Sequence, residues 1–373
     1  MFWIFFVIVI VVFSVLGMRA QEKYKNATIF KLLLTVLFAY VISAGASFAT
    51  DHVNYVFDYN SSKYLKFSEL GLDLLRRYAL GGVGYELGYE TLALIGHSVH
   101  LAFPGFMFFL MLFVNYVYVD FAFKHKYPVL SLLFFCISNI FFLEANLVRQ
   151  SVAAAIFVFS LRYIENRELW KCIVAFFVAM LFHISAVILL PVYLLMVLPS
   201  NGISNRMKVI LYGIWCVSVL IGVLDIDVSF GHSFMIENES LGRYSDKYMN
   251  DKDIIGMKTS FDLLSNFVIL MTLALSKQEL KPDMALLVIG AIFLNLAVPI
   301  PNLGRIAIYF TSILPLMYTT VTTRVDAIKK YKGMGEAFLA LLFLNFLRLL
   351  ITVQIPSKTG LGTVMYPLSA FLE

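Results

Sequence analysis

The sequence predicts an all-α, polytopic integral membrane protein, and three observations carry that prediction. First, 60% of the residues are hydrophobic and only 14% are charged, with a mean hydropathy of +0.84; a soluble domain carries nearer a quarter charged residues. Second, many apolar runs of about 15–22 residues match helices that cross a hydrocarbon core roughly 30 Å thick. Third, lysine and arginine gather in short linkers between alternate runs, the pattern of cytoplasmic loops. No long polar stretch remains for a soluble domain, so residues 1–373 read as a single membrane domain.

The candidate spans are 1–17, 28–49, 101–121, 127–143, 147–164, 170–182, 184–198, 207–224, 259–276, 283–300, 303–322 and 335–354, about 12 transmembrane helices by the length criterion. The first is apolar from its second residue and lacks a basic leader, so a retained helix is expected rather than a cleaved signal. Linkers 18–27, 122–126, 165–169, 199–206, 277–282 and 323–334 carry the basic residues, among them Lys25, Lys124, Arg167, Arg206 and Lys281. Placing these linkers in the cytoplasm turns both termini and two longer loops, 50–100 and 225–258, outward. Trp170 to Leu198 would be about 43 Å long as one helix, too long for one comfortable crossing and short for two. A break at Phe182-His183-Ile184, helped by Ser185 and Pro191, resolves this and keeps the later basic linkers on the cytoplasmic side.

The first outer loop passes through Asp51, Tyr55, Asp58 and Tyr59. It ends in Tyr85-Glu86-Leu87-Gly88-Tyr89-Glu90, continued to about His100. That run is too short and polar to span, and reads as an interfacial or re-entrant helix. The cysteines Cys136, Cys172 and Cys216 sit inside apolar runs without CxxC spacing, and read as small core hydrophobes. The phenylalanine-rich runs at 108–109, 134–135, 141–142 and 176–177 read as lipid-facing or core packing. The net charge of +5 concerns the two sides of the membrane and carries no nucleic-acid signal. Asp225-Ile226-Asp227 spells a DxD motif, but it lies in an outer loop where nucleotide sugars are not supplied. No zinc spacing, P-loop or dinucleotide fingerprint is present, so neither metal nor cofactor is expected.

The polar groups that interrupt the apolar sequence are the candidates for chemistry. A charge at the centre of a membrane helix costs about 2.5–3.5 kcal/mol on insertion scales. On the topology above, Asp51, Glu86, Glu90, Arg149, His183, Arg243 and Arg305 lie near the outer boundary, with Arg348 deeper. Arginine presents a fixed fork of donors that suits phosphate oxygens, so these arginines point to a lipid-linked phosphate or diphosphate. Each could instead snorkel or pair with a nearby acid. Asn146 and Gln150 flank Arg149 at a helix start. His183 is the natural proton acceptor near neutral pH, or simply a donor tying two segments together. Asp51 stands where a carboxylate could meet a substrate hydroxyl, or where a solvated helix end would place one. Glu86 and Glu90, four apart, would share a helix face and bind sugar hydroxyls with Tyr85 and Tyr89.

Asn146-Leu147-Val148-Arg149-Gln150-Ser151-Val152-Ala153 resembles the xxRQxxA segment of the EpsG/Wzy family of bacterial polysaccharide polymerases. Leu181-Phe182-His183-Ile184-Ser185-Ala186, running on to Leu190-Pro191, resembles its FHxSAxxxLP segment. Asp51-xxx-Tyr55-xxx-Tyr59, the Gly84–Tyr89 run and Gly304-Arg305-Ile306-Ala307-Ile308-Tyr309-Phe310 follow in the family's order. Met365-Tyr366-Pro367 is a looser echo, and Glu86-Leu87 stands where the family has Glu-Pro.

The resemblance implies a fold like the multispan glycosyltransferases that use lipid-linked donors without a required metal. It implies an enzyme of the bacterial plasma membrane, its active site facing outward. That enzyme would join polyprenyl-diphosphate-linked oligosaccharide repeats of an O-antigen, lipopolysaccharide or related surface polymer. Arg149 and Arg305, assisted by Arg243 or Arg348, would hold the diphosphate; His183 or Asp51 would orient or deprotonate the acceptor. A flippase and a chain-length regulator in the same membrane are the implied protein partners. The rival classes are a lipid-linked oligosaccharide flippase, which calls for midplane charges and repeats, and an outer-face ligase or acyltransferase.

Overall fold

The computed structural model describes residues 2–44, 52–64, 86–125, 127–137, 139–197, 204–223, 266, 282–297, 303–313 and 316–317. Every regular element among them is helical. In chain order they are α1 Phe2–Tyr24, α2 Thr28–Ala44, α3 His52–Ser62, α4 Leu87–Ser98, α5 Phe103–Ala122, α6 Pro128–Ile137 and α7 Asn139–Asn146. There follow α8 Val148–Glu165, α9 Leu169–Met180, a 3-10 turn Ile184–Ile188, α10 Leu189–Val197, α11 Asn205–Val223, α12 Pro282–Leu296 and α13 Leu303–Thr311. Three of them, over Phe5–Tyr24, Phe103–Ala122 and Asn205–Gly222, are long and apolar enough to cross a membrane, and this is a membrane protein. The expected spans 259–276 and 335–354 and the outer loop 225–258, with its DxD motif, lie outside the described residues, apart from Asn266.

At the centre, α5 packs against α2 on one side and α8 on the other. α8 is almost wholly buried from Val148 to Ile164, because its small Ala153-Ala154-Ala155 run lets neighbours approach closely. α1 covers α2 and α6, with the Phe6, Phe38 and Phe141 rings meeting at 5.5–6.1 Å. The phenylalanine pairs divide between core and periphery: Phe135 and Phe141 are fully buried, whereas Phe109 and Phe177 face outward. Cys136 and Cys172 are buried as expected; Cys216 is exposed on α11, because only one side of that helix is covered.

Two expected elements need correction. The span 127–143 is two shorter helices, α6 and α7, and residues 52–62, read as loop, form α3. The sequence of α3 is barely hydrophobic overall, and its amphipathic face shows only when the residues are placed around a helix axis.

The long apolar stretch from Trp170 does break where expected. α9 ends at Met180, His183 is extended at φ −158° and ψ 121°, and the 3-10 turn and α10 follow. α10 folds back beside α9 and also meets α8, where the Tyr193 hydroxyl lies 2.5 Å from Ser160 Oγ. Before this hairpin, α8 closes with Arg167 at φ 58°. Its amide donates to the Ile164 carbonyl at 3.1 Å and the Glu168 amide donates to the Tyr163 carbonyl at 2.8 Å, the pairing that ends a helix through one left-handed residue.

A second layer joins α11, α12 and Asn266 through two side-chain amides, Asn295 buried and Asn266 half-buried. Trp215 Nε1 donates to Asn266 Oδ1 at 2.8 Å, Asn266 Nδ2 to Asn295 Oδ1 at 2.6 Å, and Asn295 Nδ2 to Ser218 Oγ at 3.0 Å. Gly222 lets the helices close up there, since a Cβ on it would sit 2.9 Å from the Asn295 carbonyl oxygen.

Candidate functional site

Two helix starts and one helix break meet at a single carboxylate. Glu86 precedes α4 in an extended conformation, φ −67° and ψ 146°, and its side chain does not cap its own helix. It turns instead toward Arg149, in the first turn of α8, and forms a buried ion pair through Oε2. Oε1 receives His183 Nδ1 at 2.9 Å and the Ile184 amide at 3.3 Å. Arg149 also reaches the Tyr55 hydroxyl of α3. Burial alone would raise the Glu86 acid, but the His183 hydrogen bond and the Arg149 charge outweigh it and hold the carboxyl below its usual range.

A backbone contact fixes this convergence. The first amides of a helix and its last carbonyls lack partners within the helix. Here the Gly88 amide near the start of α4 donates to the Leu181 carbonyl at the end of α9, at 2.7 Å. Only glycine permits it, because a Cβ on residue 88 would stand 2.7 Å from that same oxygen. The two helix ends satisfy each other, and Glu86 and His183 are brought face to face as a result.

Around this cluster α3 packs on α4 and α5. Tyr59 stacks on His97 at 4.1 Å and on Phe106 at 4.7 Å, and its hydroxyl donates to the Leu101 carbonyl at 2.7 Å. Tyr55 meets Tyr89 at 6.1 Å. Asp58 lies between, within electrostatic reach of Arg149 and Tyr89; burial pushes its carboxyl up to about 6, against the pull of Arg149. On the far side α13 touches the 3-10 turn, where Ser185 Oγ and the Tyr309 hydroxyl are 3.0 Å apart.

Of the residues singled out in the sequence, Glu86, Arg149 and His183 are brought together. Glu86 is the residue just before α4 and Glu90 lies in its first turn, the Glu90 amide donating to the Glu86 carbonyl at 3.2 Å; both side chains are buried. Gln150 is buried beside Arg149 in the chain, and Asn146 is half-buried at the end of α7. Arg305 belongs to the first turn of α13, four residues before Tyr309, so its backbone lies one turn from the Ser185 contact. Asp51, Tyr85, Arg243 and Arg348 lie outside the described residues. Sequence reasoning passed over Tyr55, Asp58 and Gly88 as participants. Their signals were the i, i+3, i+4 spacing of Tyr55, Asp58 and Tyr59, and a glycine next to a helix start.

The cluster can do two things. It presents a guanidinium and an imidazole, both aimed at an anionic oxygen, at the positive ends of α4 and α8. It also holds His183 through Nδ1, which fixes the ring and leaves Nε2 for proton transfer. No curated protein and no solved structure matches the chain. The EpsG family model matches residues 28–366, nearly the whole sequence, including every residue of this cluster. The chain belongs to the EpsG family.

Proposed function

We propose that this protein is a polysaccharide polymerase that joins polyprenyl-diphosphate-linked oligosaccharide repeats on the outer face of the bacterial plasma membrane. The supporting topology has about 12 spans, with loops 50–100 and 225–258 outward. Membership of the EpsG family supports the reaction class. The observation that carries the site is the donor set on Glu86, where Arg149, His183 and a backbone amide all converge on carboxylate oxygens. Within that set Arg149 would stabilise a diphosphate leaving group and His183 would meet the acceptor hydroxyl.

In the reaction the acceptor hydroxyl oxygen bonds to the anomeric carbon of the growing chain as that carbon's bond to the diphosphate oxygen breaks. The electron pair leaves on the diphosphate, held by Arg149 with Arg305, and with Arg243 or Arg348 assisting. The hydroxyl proton passes to His183 Nε2, with Glu86 steadying the ring through Nδ1; Asp51 is the other candidate for this step. Positioning and charge stabilisation supply most of the acceleration, because diphosphate departs without much acid help. Gln150, Asn146 and Glu90 complete the polar surroundings. A flippase delivering the repeats and a chain-length regulator in the same membrane are the protein partners of this reading.

The test is reconstitution of purified protein with its lipid-linked repeat, followed by gel analysis for a ladder of longer products. Arg149→Ala and Arg305→Ala should each lower the rate by on the order of 10²–10³ while the protein still inserts. Full activity in both would remove the diphosphate clamp. In cells, deletion should leave surface lipid carrying a single repeat; loss of all surface repeats would indicate a flippase, and polymer retained on its carrier would indicate a ligase.

A further inference from the structure

Helix α3 carries three different stripes when its residues are placed at about 100° each around the axis. Tyr55, Tyr59 and Ser62 form the first and are buried against the protein. Val53, Phe57 and, in the following turn, Tyr64 form another, exposed at 75%, 70% and 77%. Between them runs a polar row, Asn54, Asp58 and Ser61, in which Asp58 is half-buried and its neighbours are exposed. A helix with this pattern suits a membrane surface, where its apolar stripe would meet the acyl chains. The polar row then follows the seam between lipid and protein, and Asp58 sits at the point where the seam passes Arg149.

We propose that the Asn54–Asp58–Ser61 row is a saccharide-binding subsite, in which Asp58 reads the hydroxyls of the sugar joined directly to the lipid diphosphate. This rests on the reading of Arg149 as part of the diphosphate clamp. The ligand has three parts in fixed order: an apolar tail, a diphosphate and a sugar. The seam offers their complements side by side, with the exposed stripe for the tail, Arg149 for the diphosphate and the polar row for the sugar. A carboxylate accepts from two neighbouring hydroxyls at once, an amide both donates and accepts, and a serine hydroxyl does either. Asp58, half-buried on the polar row with burial pushing its carboxyl up to about 6, can present an acceptor or a donor to the sugar.

The experiment measures binding to the full-length protein in lipid nanodiscs with two probes. One is polyprenyl diphosphate; the other is the lipid-linked repeat extracted from cells lacking the protein. Asp58→Asn should bind the repeat about tenfold or more weakly and bind plain polyprenyl diphosphate as the unmodified protein does. Asn54→Ala, at an exposed position, should show the same selectivity to a smaller extent with unchanged thermal stability. Undiminished binding of both probes by Asp58→Asn and Asn54→Ala overturns the subsite, as does an equal loss on both probes. Arg149→Ala, by contrast, should lose both probes; if it keeps polyprenyl diphosphate, the clamp itself fails, and that result is separate from the outcome with Asp58.

Discussion

His183 Nδ1 lies 2.9 Å from Oε1 of Glu86, a residue 97 positions earlier, while the other oxygen of that carboxylate pairs with Arg149. One acid therefore ties the start of α4 to the start of α8 and to the break after α9. The arrangement makes Glu86 both the anchor of the candidate site and the counter-charge of its arginine, and its removal should be felt in both roles.

Glu86→Ala should be among the most destabilising single changes in the cluster. It strands a largely buried guanidinium, and breaking a buried pair on one side costs about 3–5 kcal/mol. Arg149→Ala added to it should recover much of the lost thermal stability without recovering activity. A double variant no more stable than Glu86→Ala, in detergent melting curves, would show that the unpaired arginine is not the source of the loss.

Gly88→Ala should loosen the same junction by a steric route. The new methyl would press on the Leu181 carbonyl oxygen at 2.7 Å, and overpacking of this kind costs about 1–3 kcal/mol. Faster hydrogen exchange at the Gly88-to-Glu90 and Ile184 amides is the direct measurement. Exchange unchanged at these amides would mean that the helix ends are held together by something else.

The two acids beside Arg149 should respond to pH with opposite sign. Glu86 is held below its ordinary value of 4.5, so the stability it contributes is complete above that value and is lost as pH falls through the lowered one. Asp58 is raised from 3.8 to about 6, so the folded state binds more protons there, and stability falls as pH rises between those values. Arg149 from α8 and Tyr89 from α4 are within electrostatic reach of Asp58. Melting temperatures across this range should flatten at the upper end in Asp58→Asn and at the acid end in Glu86→Gln. A profile unaltered by Asp58→Asn would contradict the assignment.

Asn295→Leu should weaken the α11–α12 layer and leave the Glu86 cluster intact. It removes the amide that joins Asn266 to Ser218, and interhelical hydrogen bonds in membranes are worth about 0.6 kcal/mol on average, with an upper end near 1.7. The expected result is a melting temperature lowered by a few degrees with lipid-probe binding unchanged. Loss of binding at full stability would mean that this layer communicates with the site.

The all-helical membrane class, the short helix after Glu86 and the break at His183 were legible in the sequence, because each follows from local hydropathy, length or a helix-breaking residue. Arg149 and His183 were legible as candidates for a related reason: polar groups in apolar sequence are costly and stand out. α3 was not legible by average hydropathy, since its apolar residues are divided between a buried stripe and an exposed one. The division of 127–143 into two helices also escaped, because apolar composition is the same on both sides of the break.

What the chain by itself determined is which segments must leave water and which costly groups must be accommodated there, since transfer free energies depend on residue type and order. Only the tertiary structure decided that Glu86 would be the partner of Arg149 and His183 and that Gly88 would meet Leu181. Those pairings join residues many tens of positions apart, where chain periodicity has no influence. The physical reason is that a buried charge and an unpaired helix end both demand a partner, but neither specifies which; packing selects the groups close enough to serve.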